Sequence, residues 1–150
     1  MRAVIQRVSE ASVTIGSTVK GAIKLGLVVL LAVEEADTRK DIEWLSGKIV
    51  RLRVLPDQDG IMNRSVLEVN GDILLISQFT LFASTKKGNR PSYSRSARPE
   101  IAKLLYQAFV QKLSEELDKP VEAGEFGADM KVALINDGPV TIIIDSKLRE

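Results

Sequence analysis

An unbroken run of four aliphatic residues that ends in polar ones constrains the fold of this chain most. Residues 73–76 read Ile-Leu-Leu-Ile, a pattern typical of a strand that is covered on both faces. Ser77, Gln78 and Thr80 follow, and such polar groups are costly to bury unless they are hydrogen-bonded. We therefore expect a buried strand whose tip displays hydroxyl and amide groups on a rigid platform.

The remaining pattern predicts several strands and two helices in mixed order. Strands are expected over residues 2–8, 12–15, 19–23, 27–33, 66–69, 72–76, 130–135 and 140–144, with hairpin turns at 16–18 and at Asn70-Gly71. One helix should follow Thr38, whose spacing from Asp41 fits a capping box, and another should have Pro99 in its first turn. Their expected buried stripes are Ile42, Leu45, Ile49 and Leu52, and Ile101, Leu104, Leu105, Ala108, Phe109, Leu113 and Leu117. The predicted class is α+β, a single domain over residues 1–150 with a curved, barrel-like sheet and two packed helices.

The chain contains no cysteine and no histidine, and this absence limits its chemistry. Disulfides, thiolate nucleophiles and histidine-dependent triads are impossible, and a typical catalytic zinc site nearly so. An enzyme of this composition must use backbone dipoles, hydroxyls, carboxylates, lysine or a group on the substrate. We expect no metal and no cofactor.

Hydropathy gives no sign of a membrane protein. The longest apolar run, residues 27–33, is far too short to cross a bilayer, and no signal region follows the first residues. We expect a cytoplasmic protein with no membrane partner.

A basic loop is expected over residues 85–99, which are rich in Gly, Pro and Ser. Its cations are Lys86, Lys87, Arg90, Arg95 and Arg98, and it holds no acidic residue. Because the net charge is only +1, this loop is a local feature of the chain. Composition alone fits phosphate contact and a solvated surface loop equally well.

A Gly-Pro corner lies between the last two predicted strands. Gly138 can adopt backbone angles closed to other residues, and Pro139 donates no hydrogen bond. The corner therefore offers carbonyl acceptors with few competing donors. From spacing alone, an ordinary turn before an edge strand is the favoured interpretation.

Six segments, in chain order, carry a resemblance to a known family. They are residues 1–8 (Met-Arg-Ala-Val-Ile-Gln-Arg-Val), 62–65 (Met-Asn-Arg-Ser), 77–81 (Ser-Gln-Phe-Thr-Leu), 87–92 (Lys-Gly-Asn-Arg-Pro-Ser), 126–130 (Phe-Gly-Ala-Asp-Met) and 136–141 (Asn-Asp-Gly-Pro-Val-Thr). Each is weak alone, but all six in order, in a chain of this length, resemble the D-aminoacyl-tRNA deacylases along essentially the full sequence.

The resemblance implies a chiral proofreading enzyme of translation. Members hydrolyse the ester that joins a D-amino acid, or glycine, to the terminal adenosine of tRNA, and they form homodimers with the site at the subunit interface. The resemblance assigns to Gly138 and Pro139 a Gly-cisPro motif that enters the partner's pocket and meets the substrate's α-amino group. A rigid backbone wall there would exclude an L side chain by collision and accept D-amino acids and glycine.

The resemblance also assigns roles to residues elsewhere in the chain. Ser77, Gln78, Phe79 and Thr80 would line the catalytic pocket, Ala128 and Met130 would shape its adenosine side, and Arg7 would hold the Gly-Pro corner. For Phe79 and Met130 simple core packing is the alternative, and for Arg7 a surface position on a strand face.

No base is evident near Thr80 in the sequence, so a threonine nucleophile is disfavoured. We expect substrate-assisted hydrolysis, in which the vicinal ribose hydroxyl helps to activate water and backbone amides near Phe79 and Thr80 stabilise the oxyanion. The basic loop would hold tRNA phosphates, and no DNA partner is expected. Two alternatives stay open: a non-catalytic tRNA-binding module, and an esterase for free amino-acid esters.

Overall fold

The computed structural model describes all residues from 1 to 150. In chain order its elements are β1 (Arg2–Ile15), β2 (Thr18–Ile23), β3 (Gly26–Ala32), α1 (Arg39–Val50), β4 (Leu55–Pro56), β5 (Met62–Arg64), β6 (Asp72–Ser77), a 3-10 helix (Phe79–Phe82), α2 (Pro99–Leu117), β7 (Glu122–Ala123) and β8 (Lys131–Asp145). Neither α-helix has the length and apolar character needed to cross a membrane.

A single curved sheet organises the molecule around the long strand β1. Its strand order is β2-β1-β3-β6-β7, and β8 pairs antiparallel with β1 along almost its whole length. The pairs β3–β6 and β6–β7 are parallel, whereas β1 pairs antiparallel with β2 and β3. Strand β2 lies against β6 and β7 across the remaining opening, so the sheet is a nearly closed barrel. The predicted α+β class, with two helices packed on a barrel-like sheet, is confirmed.

Strand β6 is covered on both faces, as the run of aliphatic residues predicts. Ile73 and Leu75 belong to a core cluster of 22 buried residues between the sheet and the helices. Leu74 and Ile76 point the other way, into a cluster of 7 buried residues inside the curve of the sheet. Alternate side chains of one strand therefore fill two cores, which fixes the position of its tip.

The capping box of α1 is present where the sequence predicts it. The Asp41 carboxylate accepts hydrogen bonds from the Thr38 backbone N–H at 2.8 Å and from the Thr38 hydroxyl at 3.0 Å. The same carboxylate accepts from Ser146 and Lys147 near the other end of the chain, each at 2.8 Å. Burial opposes ionisation of Asp41, but these hydrogen bonds outweigh it and hold its pKa well below the usual range.

The predicted hairpin at Asn70-Gly71 is wrong, because residues 66–69 form a turn and no strand. The Glu68 carboxylate accepts from the N–H and the hydroxyl of Ser65, at 2.7 and 2.9 Å, as in a capping box. Asn70 has a φ of 51°, and the N–H of Gly71 donates to the carbonyl of Val66 at 2.9 Å. Asn70-Gly71 therefore ends a helical turn. The positive φ that Asn adopts at this position is used at helix ends as well as in hairpins.

The predicted apolar stripe of α2 is confirmed at Phe109, Leu113 and Leu117, which are buried, and is wrong at two positions. Leu104 is 68% exposed, whereas Tyr106 is buried. Ala108 is also exposed, whereas Ala102, which the prediction did not include, is buried. On α1 the stripe is confirmed from Ile42 to Ile49, while Leu52 lies beyond the helix and is half-buried.

Two pairs of predicted strands are each one continuous strand. The segments 2–8 and 12–15 merge into β1, and the last two strands merge into β8. Val8 pairs with Asn136 and Gln6 with Thr141, so the four residues 137–140 lie opposite the single residue Arg7. This bulge projects the Gly-Pro corner from the sheet.

Candidate active site

A cleft of about 650 Å³ opens at the tip of β6. Ser77, Gln78 and Phe79 line it where the strand passes into the 3-10 helix. Ala128 and Met130 line the same cleft, so the structure brings these five predicted site residues together. Met130 also packs against the inner core, so the alternative of a core role holds for part of its side chain.

Thr80 lies beside the cleft, and its hydroxyl is engaged with an amide. The Nε2 atom of Gln78 donates to the Thr80 hydroxyl oxygen at 2.6 Å. An amide cannot accept the proton that a threonine nucleophile must lose. The ionisable side chains that line the cleft are Tyr93, Arg98 and Tyr106, and no carboxylate is among them. The cleft therefore provides no evident general base for Thr80.

Aromatic rings form much of the cleft wall, and most of them were absent from the predicted site. The rings of Phe79 and Tyr93 meet edge to face with centroids 5.0 Å apart, and Tyr106 and Phe126 lie 5.9 Å apart. The Tyr106 hydroxyl donates to the carbonyl of Leu75 at 3.1 Å. Burial raises the pKa of Tyr106 to about 12, so it stays a neutral donor near pH 7. Aromatic walls of this kind suit the faces of a nucleobase.

The Gly-Pro corner is built by tight backbone packing and has a cis peptide between Gly138 and Pro139. Gly138 has a φ of +147°, and a Cβ there would lie 2.7 Å from both the backbone N and Cγ2 of Val140. Only glycine meets both conditions without displacement of the chain. The amide of Asn136, which the prediction did not single out, donates to the carbonyls of Arg7 and Val140 at 3.0 and 2.9 Å.

The corner does not line the cleft of its own chain, and this separates the predicted site into two parts. Gly138 and Pro139 are exposed on β8. Arg7 lies with the corner: its Nη2 atom is 3.3 Å from the position that a Cβ of Gly138 would occupy. The structure therefore groups Arg7 with Gly138 and Pro139, apart from Ser77, Gln78 and Phe79.

The five cations of the basic loop fall into two groups. Lys86, Lys87 and Arg90 are exposed and form no ion pair. Arg95 instead covers the ring of Phe82 at 5.2 Å, and Arg98 pairs with Glu35 at 3.1 Å. The first group, at the tip of the loop, has neither an ion pair nor an aromatic partner, whereas Arg95 and Arg98 are exposed but already in contact with other side chains.

Comparisons with known proteins agree along the whole chain. The family model of D-Tyr-tRNA(Tyr) deacylase matches residues 4–145. A protein of Bacteroides fragilis (strain YCH46) named D-aminoacyl-tRNA deacylase is 61% identical over 100% of both chains. One of the same name from Dechloromonas aromatica (strain RCB) is 57% identical, also over 100% of both chains.

Two solved structures share the fold. One, described as the c-Myc DNA Unwinding Element Binding Protein, is 41% identical, with a TM-score of 0.89 over 97% of this chain and 98% of that one. The other, a probable eukaryotic D-amino acid tRNA deacylase, is 15% identical, with a TM-score of 0.81 over 95% of this chain and 97% of that one. At that identity the second likeness concerns the fold alone.

Proposed function

The chain belongs to the D-Tyr-tRNA(Tyr) deacylase family and is a D-aminoacyl-tRNA hydrolase, and we propose that it cleaves the ester between a D-amino acid and the terminal adenosine of tRNA. The observation that carries the proposal is the cleft at the tip of β6. It combines aromatic walls for a nucleobase with the polar residues Ser77 and Gln78 beside an exposed backbone turn. We place this activity in the cytoplasm, where aminoacyl-tRNA is used.

The proposed mechanism is substrate-assisted. The ribose hydroxyl next to the ester hydrogen-bonds to a water molecule, whose oxygen attacks the carbonyl carbon. The acyl–oxygen bond then breaks, and the ribose oxygen leaves with a proton. The lack of any carboxylate, histidine or cysteine in the cleft supports this route over a protein nucleophile or base. An activated ester needs less assistance than an amide, so such a site is chemically adequate.

Backbone N–H groups are the proposed oxyanion donors. Phe79 and Thr80 open the 3-10 helix, and the first N–H groups of a helix have no acceptor within it. A donor aimed at a developing oxyanion is worth about 3 kcal/mol of transition-state stabilisation. In this scheme the peptide backbone at the strand tip takes the role that a catalytic side chain has in other hydrolases.

We assign chiral selection to the Gly138-Pro139 corner. No side chain donates a hydrogen bond to the carbonyl of either residue, so an ammonium group would meet no side-chain competitor there. A corner held against the α-carbon of the substrate would collide with an L side chain and leave a D side chain free. Glycine has no side chain to exclude, so mischarged glycyl-tRNA would be a substrate as well.

We propose a homodimer with a shared site, and the separation of corner and cleft supports it. Strand β8 pairs with β1 alone and exposes apolar residues, with Ile135 at 54% and Ile143 at 69% exposure. An open strand edge with exposed apolar side chains is typical of an interface. A two-fold arrangement would bring the corner of each subunit to the cleft of its partner.

The basic tip of the loop is proposed to contact tRNA phosphates. Lys86, Lys87 and Arg90 lie along the chain between Thr80 and the cleft residue Tyr93. Phosphate contacts of this kind carry no sequence information. The loop would therefore position the acceptor end without selecting a particular tRNA.

Hydrolysis of one tRNA charged separately with D- and L-tyrosine tests the proposal. We expect rapid release of D-tyrosine and slow release of L-tyrosine. Release of both would contradict the backbone wall, and retained binding without release would favour a non-catalytic tRNA-binding module. Because one structural relative is described as a DNA unwinding element binding protein, duplex DNA should be added as a competitor; we expect it not to inhibit.

A further inference from the structure

The peptide unit that joins Phe79 to Thr80 is held from outside its own helix by Ser96. We propose that Ser96 is a positioning residue, whose hydroxyl fixes this peptide so that the Thr80 N–H is aimed at the developing oxyanion. The inference rests on the proposed function, and it adds a residue from the base of the basic loop to the site.

The argument begins with one hydrogen bond. The Ser96 hydroxyl donates to the carbonyl of Phe79 at 2.8 Å. That carbonyl and the N–H of Thr80 belong to the same planar, trans peptide, in which they point in opposite directions. A bond that holds the carbonyl therefore fixes the direction of the N–H. Donation to the carbonyl also polarises the peptide and strengthens its N–H as a donor.

Ser96 can do this because its own backbone is attached to the end of β3. Ser96 forms an isolated antiparallel bridge with Glu34, and the N–H of Ala97 donates to the carbonyl of Val33 at 2.9 Å. The N–H of Ser96 itself donates to the carbonyl of Tyr93 at 3.0 Å. The hydroxyl thus projects from backbone that is tied to the sheet, and it can transmit that rigidity to the strand tip.

A second contact from the same loop holds the Phe79 side chain. The ring of Tyr93 packs edge to face on the ring of Phe79, with centroids 5.0 Å apart. The Phe79 ring is otherwise 57% exposed at the mouth of the cleft. The base of the loop therefore restrains both the carbonyl and the ring of Phe79, while the cations of its tip are several residues away.

The test compares Ser96→Ala with Ser96→Thr, which keeps a hydroxyl. Ser94→Ala is the matched control, because Ser94 is an exposed serine of the same loop whose hydroxyl contacts only Ser92, at 3.3 Å. For D-Tyr-tRNA we expect Ser96→Ala to lower kcat about tenfold with little change in KM, because only the transition state carries the oxyanion. Ser96→Thr should recover most of the activity, and Ser94→Ala should match the wild type.

A readout independent of turnover separates this inference from the proposed function. We expect the amide ¹⁵N and ¹H resonances of Thr80 to shift in Ser96→Ala and to return in Ser96→Thr, with an unchanged melting temperature in both. Wild-type protein without hydrolysis would overturn the proposed function. An active wild type with equal kcat in Ser96→Ala, or an unmoved Thr80 amide, would overturn the inference alone.

Discussion

The Nε atom of Arg7 donates a hydrogen bond to the backbone carbonyl of Asp137 at 2.9 Å. Its Nη1 atom donates to the carbonyl of Val54 at 2.7 Å, and the side chain is only 12% exposed. One guanidinium thus ties strand β1 to the Gly-Pro corner and to the segment that follows α1. Because the planar fork serves two carbonyls in different directions, a lysine cannot reproduce the arrangement.

Arg7→Lys should therefore reduce D-specific deacylation even though it keeps the charge. We expect kcat/KM for D-Tyr-tRNA to fall by about 100-fold, since a small misplacement of a positioning group has an effect of this order. Single-turnover hydrolysis measures it. Arg39→Lys is the control, because Arg39 is an exposed arginine that pairs with Glu43 on the surface of α1. A fully active Arg7→Lys variant would contradict the assigned role of Arg7.

Mutation should separate the contribution of the Thr80 side chain to activity from that of the Thr80 N–H. Thr80→Ala removes the hydroxyl that accepts from Gln78 but keeps the N–H, so we expect activity within about tenfold of the wild type. Thr80→Pro removes the N–H, and we expect activity to fall by about 100-fold or more. Circular dichroism and melting temperature check that both variants fold. A decrease of several orders of magnitude in Thr80→Ala would instead indicate a threonine nucleophile.

The sequence correctly predicted those parts of the fold in which the residue pattern fits only one local structure. Thr38 and Asp41 form the expected capping box, and the aliphatic residues of β6 are buried on both faces. The Asn70-Gly71 prediction failed because positive φ at Asn serves a hairpin and a helix end equally well. The neighbouring Ser65 and Glu68 form the capping interaction that decided the outcome, and their spacing was visible in the sequence.

Residue patterns alone predicted the candidate site only where it is continuous along the chain, whereas Ala128 and Met130, which also line the cleft, were assigned by the family resemblance. Ser77, Gln78 and Phe79 follow a strand whose end could be located from its apolar run, and all three line the cleft. Tyr106 and Ser96 reach the same region from α2 and from the basic loop. Their sequence neighbourhoods signal a helix and a loop, and only the tertiary fold brings them to the strand tip.

Removing the charges at the tip of the basic loop should weaken tRNA binding and make that binding less sensitive to salt. For Lys86→Ala, Lys87→Ala and Arg90→Ala combined, we expect KM to rise with kcat nearly unchanged. The slope of log K against log salt should become shallower by about 0.7 for each phosphate of single-stranded RNA that the variant no longer neutralises. Titration of binding against salt concentration measures it, with Lys40→Ala on α1 as the control. Unchanged KM and slope would favour the esterase that ignores RNA.

The depressed pKa of Asp41 predicts how stability depends on pH. Its stabilising contribution should be complete above the ordinary carboxyl value of 3.8 and should disappear as the pH falls below it. Asp41→Asn should lower the free energy of unfolding at pH 7 by about 2 kcal/mol, because it removes hydrogen bonds to a buried carboxylate. The difference from wild type should shrink below about pH 4. Urea unfolding of both proteins across this pH range measures it.

A site shared between subunits predicts complementation between two inactive variants. Gly138→Ala damages the corner, because its Cβ would overlap Val140, whereas Thr80→Pro damages the strand tip of the cleft. A mixed dimer would hold one site with both defects and one with neither. Random reassociation of equal amounts should therefore restore about a quarter of wild-type activity, since half of the dimers are mixed and each has one intact site. Sedimentation must first show that mixed dimers form; mixed dimers without activity would place the corner and the cleft of one chain in the same site.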